Sequence, residues 1–298
     1  MMEYATLGKS DLQVSRIGFG CMSLGGNEKQ NQTLIAKALE LGINYFDTAD
    51  LYEDGENEIK LGKLLKSNRS KIIVASKVGN QKLANGNTIW NVSKAYILKA
   101  VDASLNRLQT DYLDLYQLHG GMIEDHIDET IEAFEWLKQQ GKIRYYGISS
   151  IRPNVIREYV SKSNLVSVMM QYSLLDRRPE ETCFNLLEKN QISVVARGSM
   201  AQGLLVDKFA KPYLDYTEKE VLKTARAIKQ VSKVDRSEAQ SAIRFALVPK
   251  VVASAVIGIR TKAQLIDAAD AIETPKLTDK DMQVLHQSIS PNFYEQHR

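Results

Sequence analysis

The chain has 298 residues, of which 44% are hydrophobic and 25% are charged, and its formal net charge at pH 7 is +3. These fractions are typical of globular proteins and argue against intrinsic disorder. The six prolines and 17 glycines exclude a collagen-like or low-complexity chain. Because Lys and Arg form no dense cluster, the composition does not indicate binding to nucleic acid.

The first residues, Met1 to Val14, lack the apolar core of a signal peptide. The longest nearly apolar stretch, Val251 to Ile259, is about half as long as a membrane span requires. Cys21 and Cys183 have neither metal-ligand spacing nor a disulfide framework. We therefore expect a cytoplasmic protein without a membrane partner, with both thiols reduced and buried, and we favour a monomer.

Short β-branched or aromatic runs alternate along the chain with longer segments of helical period. Strand followed by helix, repeated eight times, is typical of a (β/α)₈ barrel with a parallel sheet. We predict one such barrel as a single domain over residues 1–298, without a linker. The candidate strands are Arg16–Cys21, Asn44–Thr48, Lys71–Lys77, Leu113–His119, Ile143–Ser149, Ser167–Tyr172, Ile192–Arg197 and Ala255–Ile259.

Among the helices, Asn31 to Gly42 has an apolar face, with Asn31 as the expected N-cap and Gly42 as a left-handed exit. Ile127 to Gly141 has a similar stripe. Two features lie outside the repeat. Gly8 to Asp11 predicts an N-terminal β-hairpin that plugs the barrel floor, and residues 202–248 predict a loop with two extra helices between the seventh and eighth strands. The final residues, 290–298, are expected either to cover the pocket or to fray.

In a barrel, polar side chains at the carboxyl ends of the strands meet at one rim, where active sites lie. An acid, an amine, an imidazole and an amide converge there, and buried charges persist only when they are paired. These strand ends therefore predict a site. The residues are Asp47, Lys77, His119, Ser149, Ser150, Gln171, Arg197, Ser199, Gly258 and Arg260.

Several common motifs are absent. Ser23 occupies the third glycine position that a GxGxxG dinucleotide fingerprint needs after Gly18 and Gly20. Gly55 and Gly62 are too far apart for a phosphate-binding P-loop, no GxSxG elbow is present, and the four histidines form no i, i+4 pair. Hydrolase and metalloenzyme functions therefore lose support, and we predict no metal site.

What remains is a series of motifs in register, which together resemble the aldo-keto reductase superfamily over nearly the whole chain. The resemblance is greatest to short-loop bacterial members near the potassium-channel β-subunit-like branch. The matching segments are NYFDTADLY at 44–52, VASK at 74–77, YLDLYQLH at 112–119, GISS at 147–150, QYS at 171–173, AQGLL at 201–205 and VIG at 256–258.

This resemblance implies a catalytic tetrad of Asp47, Tyr52, Lys77 and His119. A carbonyl that accepts hydride develops alkoxide charge, which needs a proton donor nearby, and Tyr52 fits that role. A lysine ammonium beside the phenol would stabilise the phenolate left behind. Asp47 would keep Lys77 charged, and His119 would hydrogen-bond the substrate carbonyl or relay the proton.

The resemblance also implies NADPH as the coenzyme, bound in an extended pose across the barrel mouth. A guanidinium matches a phosphate bidentately, so Arg260 is the physical reason for preferring NADPH over NADH. Met22 and Asp47 would complete the coenzyme site. The carried-over contacts are Ser149, Ser150 and Gln171 for the carboxamide, Gly198, Ser199, Ala201, Gln202 and Lys208 for the pyrophosphate, and Gly258, Arg260, Gln264 and Asp267 for the adenosine 2′-phosphate end.

Three positions depart from the family pattern. Ser150 stands where many members have Asn, which weakens one amide contact to the coenzyme without abolishing it. Ala268 stands where an adenine-contacting Asn is common, which weakens the basis for coenzyme selectivity. Arg197 replaces the aromatic residue that usually stacks on the nicotinamide. Because the oxidised nicotinamide is cationic, an arginine there should disfavour NADP⁺ relative to NADPH and bias the enzyme towards reduction.

For the substrate, the family leads us to expect a small carbonyl compound such as methylglyoxal or an aryl aldehyde. The loops at 80–92 and 120–126 should line a pocket with Met22, Tyr52 and His119. Trp90 is equally compatible with a pocket wall and with a packed loop anchor.

Two other functions are compatible with parts of this pattern. A Schiff-base lyase would use a strand-end lysine as nucleophile, but it needs a neutral Lys77, and an adjacent Asp47 keeps that amine charged. A nicotinamide-binding regulatory or redox-sensing protein with little turnover would not need Tyr52 or His119.

Overall fold

In the computed structural model, which describes residues 1–298, eight parallel strands close into a barrel. The first two strands of the chain, β1 (Tyr4–Thr6) and β2 (Gln13–Ser15), form a separate antiparallel hairpin, as do β6 (Asn80–Lys82) and β7 (Thr88–Trp90). The (β/α)₈ prediction and the N-terminal hairpin are therefore confirmed. The barrel strands, in their order around the barrel, are β3 (Ile17–Gly20), β4 (Tyr45–Asp47), β5 (Ile73–Val78), β8 (Leu113–Leu118), β9 (Ile143–Ser149), β10 (Ser167–Gln171), β11 (Ser193–Arg197) and β12 (Val252–Gly258).

Ten α-helices accompany the strands, and those between barrel strands pack their apolar faces against the sheet. They are α1 (Glu28–Glu40), α2 (Glu56–Leu65), α3 (Lys94–Leu108), α4 (Ile127–Gln139), α5 (Pro153–Lys162), α6 (Cys183–Lys189), α7 (Glu218–Val231), α8 (Glu238–Ala246), α9 (Lys262–Asp270) and α10 (Asp279–Ser288). None of them combines the length and the apolar character that a membrane crossing requires.

The start of α1 differs from the prediction. Asn27, not Asn31, is the N-cap, and its side chain accepts a hydrogen bond from the Gln30 N–H at 3.0 Å. Asn31 lies inside the first turn and donates from Nδ2 to the Gly25 carbonyl at 2.9 Å. The acidic Glu28 then falls in the first turn, where it complements the helix dipole. Gly42 has the predicted left-handed conformation, with φ of 81°.

The long connection between β11 and β12 contains α7 and α8, as expected. Each begins with a capping box, formed by Thr217 with Glu220 and by Ser237 with Gln240. The tail after α10 is packed rather than frayed: Tyr294 is buried, and the Asn154 N–H donates to the His297 carbonyl at 2.8 Å. Tyr216 also donates to the Ser290 carbonyl at 2.8 Å.

The N-terminal hairpin closes the barrel at the amino ends of its strands. Gly8, at the hairpin turn, has φ of 57°, and a Cβ atom there would lie 2.1 Å from the Val166 carbonyl oxygen just before β10. The Gly8 N–H donates to Ser193 Oγ at the start of β11, at 2.7 Å. Leu7 and Leu12 are buried against the barrel interior. The predicted plug is therefore confirmed.

The barrel interior is organised by the two-residue period of its strands. Tyr45, Ala75 and Leu115 point inward and pack with the hairpin leucines in one buried cluster. Successive side chains of a strand alternate between its two faces. The residues two positions further on therefore point inward too, closer to the carboxyl-end mouth.

Replacing a plug leucine should destabilise the barrel. Leu12 is 2% exposed, so Leu12→Ala leaves a cavity and is expected to lower the free energy of unfolding by about 2–5 kcal/mol. Leu222 on α7 is 40% exposed, and Leu222→Ala is the matched control, expected to change stability by less than about 1 kcal/mol. Urea unfolding followed by circular dichroism measures both. Equal effects would show that the hairpin does not pack as a plug.

Candidate active site

The carboxyl ends of three neighbouring strands bring an acid, an amine and an imidazole together. Asp47 ends β4, Lys77 lies near the end of β5, and His119 follows β8 directly. The Lys77 Nζ donates to Asp47 Oδ1 at 2.5 Å and to the Thr48 carbonyl at 2.7 Å. Both charged side chains are buried, so each depends on the other for compensation.

Tyr52 reaches this pair from the loop after β4. Its hydroxyl lies 3.4 Å from Lys77 Nζ, and its ring centroid lies 5.9 Å from that of His119 in an edge-to-face arrangement. The loop owes its shape to Glu53 and Asp54, which have left-handed φ values of 50° and 57°. Backbone strain of this kind persists only where the surroundings hold it. Glu53 and Asp54 also form ion pairs with Lys60 and Lys82.

The electrostatic environment keeps Lys77 as an ammonium ion. Burial alone would lower the pKa of Lys77, but the charge and hydrogen bond of Asp47, together with Tyr52, outweigh it, so that its pKa is raised. Two of its three N–H donors are directed at oxygens of Asp47 and Thr48. A charged, hydrogen-bonded amine is a poor nucleophile, which disfavours the Schiff-base chemistry.

His119 is neutral in this environment. Burial, reinforced by the positive charges of Lys77 and Arg197, lowers the pKa of His119 to about 3. Its Nδ1 atom is buried without a hydrogen-bond partner. At neutral pH the imidazole is therefore a hydrogen-bonding group rather than a source of positive charge.

A second group of side chains lies at the ends of β9, β10 and β11, on the far side of the mouth. Gln171 Oε1 accepts a hydrogen bond from Arg197 Nη1 at 3.1 Å, and Arg197 is exposed. Ser149 ends β9, and Ser150 follows it as a buried residue. Gly198 has φ of 72° and lies beside Gln171, where a Cβ atom would touch the Gln171 side chain at 3.4 Å.

The loop after Gly198 is suited to an anionic group. Ser199 is buried, its Oγ has no hydrogen-bond partner, and the backbone N–H groups of Ser199 and Met200 are likewise unpaired within the chain. Ala201 and Gln202 have left-handed φ values of 47° and 60°. Turns that leave backbone N–H groups free make concave anion sites. Lys208 packs against Gly203 at the same loop, so the residues present fit a phosphate-bearing coenzyme.

The last group of predicted coenzyme residues follows β12, after Gly258. The Arg260 N–H donates to Gln264 Oε1 at 3.0 Å, and the Arg260 side chain, exposed beside the amino end of α9, has no acidic partner. A helix amino end with a free guanidinium favours an anion. Asp267 is different, since its carboxylate accepts from Ser237 Oγ at 2.9 Å and so holds α8 against α9.

Trp90 acts as a loop anchor in this structure. Its indole Nε1 donates to Asp125 Oδ1 at 2.9 Å, which joins the β6–β7 hairpin to the loop after His119. The ring covers Gly79 and Gly120, where Cβ atoms would lie 2.6 and 3.3 Å from it. Met22, on the short turn after β3, is 68% exposed and contributes apolar surface.

Comparison with known proteins places this arrangement in one family. The profile of the Aldo/keto reductase family matches residues 16–289. The chain belongs to the aldo/keto reductase family.

Individual relatives agree with this assignment. The solved structure of the aldo-keto reductase AKR11C1 from Bacillus halodurans, in its holo form, is 50% identical, covers 100% of both chains and has a TM-score of 0.93. The Bacillus subtilis (strain 168) protein named uncharacterized oxidoreductase YqkF is 48% identical over 100% of both chains. The NADH-specific methylglyoxal reductase of Escherichia coli (strain K12) is 32% identical over 72% of both chains.

Sequence analysis missed two polar residues at the core of this aldo/keto reductase. Gln117 on β8 is fully buried and donates from Nε2 to Asp47 Oδ2 at 3.3 Å. The inward alternation of β8, with Gln117 between Leu115 and His119, is the signal that could have identified it. Asp50 follows the Asp47 strand end, and its carboxylate Oδ1 is buried without a partner.

Asp50 lies next to a buried ionic network. Glu58 is fully buried and accepts hydrogen bonds from Ser76 Oγ and, at 2.7 Å, from Arg107 Nε. Burial, together with the negative charge of Glu58, raises the pKa of Asp50 to about 7. The folded protein therefore holds a proton on Asp50 at pH values where an unfolded aspartate, with a pKa of about 3.9, has lost it.

This shift predicts a pH-dependent stability. The pKa of Asp50 is higher in the folded protein than in the unfolded chain, so the folded protein binds this proton more tightly. The free energy of unfolding therefore falls as pH rises from about 4 to about 7. Asp50→Asn mimics the protonated carboxyl, so the variant does not lose this part of its free energy of unfolding as pH rises. The stabilisation by Asp50→Asn should grow by about 1–3 kcal/mol between pH 5 and pH 8. Urea unfolding at both pH values measures it.

The matched control is Asp111→Asn, which alters an exposed carboxylate between α3 and β8. Its stability difference from the wild type should be the same at pH 5 and pH 8. If Asp50→Asn behaves in that way too, the carboxyl of Asp50 is ionised in the folded protein throughout this range.

Proposed function

We propose that this aldo/keto reductase reduces an aldehyde or ketone to an alcohol with NADPH. The observation that carries the proposal is the position of the Tyr52 hydroxyl. It lies 3.4 Å from the buried Lys77 ammonium, and its ring lies beside the neutral His119 imidazole. A phenol next to a fixed cation is a proton donor whose conjugate base is stabilised where it forms.

Each member of the tetrad then has a distinct task. When bound, NADPH supplies the hydride that adds to the carbonyl carbon. Tyr52 gives its proton to the developing alkoxide, and Lys77 stabilises the phenolate that remains. Asp47 keeps Lys77 charged and directs it, since Lys77 Nζ is bound to Asp47 Oδ1 at 2.5 Å. The neutral imidazole of His119, whose ring lies beside Tyr52, hydrogen-bonds the carbonyl oxygen before the proton is transferred.

The coenzyme would lie across the mouth from β9 to α9. The residues that would hold it are Met22, Asp47, Ser149, Ser150, Gln171 and Arg197 for the nicotinamide end, Gly198, Ser199, Ala201, Gln202 and Lys208 for the pyrophosphate, and Gly258, Arg260 and Gln264 for the adenosine end. Asp267, the fourth residue expected at the adenosine end, is instead engaged by Ser237. The unpaired Ser199 hydroxyl supports the pyrophosphate position.

The preference for NADPH over NADH rests on Arg260. Its guanidinium has no acidic partner and lies beside the amino end of α9, so a 2′-phosphate would gain both a cation and helix N–H groups. The related Escherichia coli enzyme is NADH-specific, so both coenzymes belong in any test.

The substrate would be a small aldehyde, with methylglyoxal and aryl aldehydes as the first candidates. Exposed Met22 would supply apolar surface to the pocket. Trp90 would contribute to its wall through the two loops that its hydrogen bond to Asp125 joins.

Removal of the Tyr52 hydroxyl should separate binding from chemistry. In Tyr52→Phe, NADPH oxidation with an aldehyde panel should fall by about 100-fold or more, because general acid catalysis contributes at least that much. The dissociation constant for NADPH, from a fluorescence titration, should stay within about threefold of the wild-type value, because the Tyr52 hydroxyl donates the proton but does not bind the coenzyme. Titration with NADH in parallel tests the coenzyme preference.

Tyr4→Phe provides the control, because Tyr4 donates to the Gly42 carbonyl far from the mouth and should leave turnover unchanged. Turnover that survives in Tyr52→Phe would show that another group donates the proton. Tight NADPH binding by the wild type without oxidation by any carbonyl would favour the regulatory, redox-sensing function instead.

Arg197 should bias the enzyme towards the reduced coenzyme. A unit positive charge about 4 Å from the oxidised nicotinamide costs about 1 kcal/mol in water, or roughly fivefold in affinity. Arg197→Tyr should lower the ratio of the NADP⁺ to NADPH dissociation constants by about that factor, whereas Arg197→Lys keeps the charge and should keep the ratio. Calorimetric titration with both forms measures it. An unchanged ratio in Arg197→Tyr would rule out the electrostatic bias.

A further inference from the structure

The side-chain amide of Gln171 uses both of its N–H donors and one of the two lone pairs of its oxygen. Its Nε2 donates to Asp176 Oδ2 at 2.8 Å and to the Tyr213 hydroxyl at 3.0 Å. A primary amide has two N–H donors, so both are used. The remaining atom, Oε1, accepts from Arg197 Nη1 at 3.1 Å on the mouth side. The acceptor end of Gln171 therefore faces the mouth, and the donor end faces the protein.

Asp176 is the group that sets this orientation. It is fully buried, and an ionised carboxylate can only accept hydrogen bonds. If the amide turned by 180°, Gln171 Oε1 would meet the Asp176 carboxylate and a charge-assisted hydrogen bond would be replaced by repulsion. Tyr213 does not discriminate in this way, because a hydroxyl can either donate or accept.

An ion pair and a closed turn hold Asp176 in place. Arg178 binds it with two parallel hydrogen bonds, from Nε to Oδ1 and from Nη2 to Oδ2, each 2.8 Å long. The turn that carries Asp176 is closed by backbone hydrogen bonds with Ser173 of 3.1 and 3.0 Å. Behind Arg178, the ring of Tyr294 from the packed C-terminal tail lies 5.0 Å from the guanidinium carbon.

We infer that Asp176 is a positioning residue for the nicotinamide: it fixes the Gln171 amide so that the coenzyme carboxamide meets an acceptor, to which its N–H donates. The inference rests on the proposed function. The Oε1 atom has two lone pairs, so Arg197 and the carboxamide can share it. A site that offers an acceptor selects the carboxamide N–H₂ and rejects a group of the same shape that lacks those hydrogens.

The 3-acetylpyridine analogue of NADP⁺ tests this point, because a methyl group replaces the carboxamide N–H₂. Wild-type protein should bind NADP⁺ roughly tenfold more tightly than this analogue, because the analogue cannot donate a hydrogen bond to Gln171 Oε1. In Asp176→Asn the Gln171 amide is free to turn, and the ratio of the two dissociation constants should fall to about two or less. Binding of 2′,5′-ADP, which lacks the nicotinamide, should be unchanged in both proteins.

Two further variants separate orientation from packing. Tyr213→Phe removes a contact to Gln171 but leaves Asp176 in place, so the ratio should stay within about twofold of the wild type. The double variant Gln171→Glu with Asp176→Asn exchanges the amide and the carboxylate between the two positions. The introduced amide would donate to one oxygen of the introduced carboxylate and leave the other oxygen facing the mouth. This double variant should recover the discrimination that Asp176→Asn loses.

The inference is overturned if wild-type protein binds the two dinucleotides equally, or if folded Asp176→Asn keeps the wild-type ratio. The first measurement needs no variant and so holds even if Asp176→Asn fails to fold. A wild-type protein that binds 2′,5′-ADP but neither dinucleotide also overturns it. Failure of the proposed function gives a different result. The protein would then bind NADP⁺ more tightly than its 3-acetylpyridine analogue, but no carbonyl compound would oxidise NADPH.

Discussion

The buried pair of Lys77 and Asp47 is the constraint on which the rest of the candidate site depends. Lys77 is 0% exposed, and a lone ammonium in that position would carry a large desolvation cost. Its hydrogens are directed at Asp47, at the Thr48 carbonyl and towards Tyr52, so the pair also determines where the phenol lies. Removing one partner of such a pair typically costs about 3–5 kcal/mol. The proposed proton donor is therefore positioned by the same interaction that makes the buried lysine tolerable.

The barrel explains why these residues meet. On β4, β5 and β8 the inward positions run from Tyr45 to Asp47, from Ala75 to Lys77 and from Leu115 to Gln117, so each strand changes from apolar to polar at the same level. On β10 and β11 the same step leads from Met169 to Gln171 and from Val195 to Arg197. Below this level the buried leucines of the N-terminal hairpin fill the barrel, and above it lie the polar strand ends. The candidate site lies at the boundary between these layers.

Much of this could be predicted because it depends on local period. Eight strands, the hairpin and the positions of Asp47, Lys77 and His119 follow from alternation and turn residues, which act within a few residues. The start of α1 was misplaced because Asn27 and Asn31 are both good N-caps, and only the contact of Asn31 with Gly25 distinguishes them. The pairing of Gln117 with Asp47 spans 70 positions and needs the barrel register. The packed tail was likewise undetermined, since its partners Asn154 and Arg177 are remote in sequence.

The two halves of the mouth follow the same physical rule with different chemistry. On one side, a carboxylate and a cation orient a neutral donor: Asp47 holds Lys77, and Lys77 faces Tyr52. On the other side, Arg178 holds Asp176, and Asp176 orients the neutral amide of Gln171. An ammonium is a point charge that tolerates the change of Tyr52 from phenol to phenolate in the proposed reaction, whereas a guanidinium fork fixes a carboxylate in one plane. A group that exchanges a proton needs the first kind of support. An acceptor that must present one atom to the coenzyme needs the second.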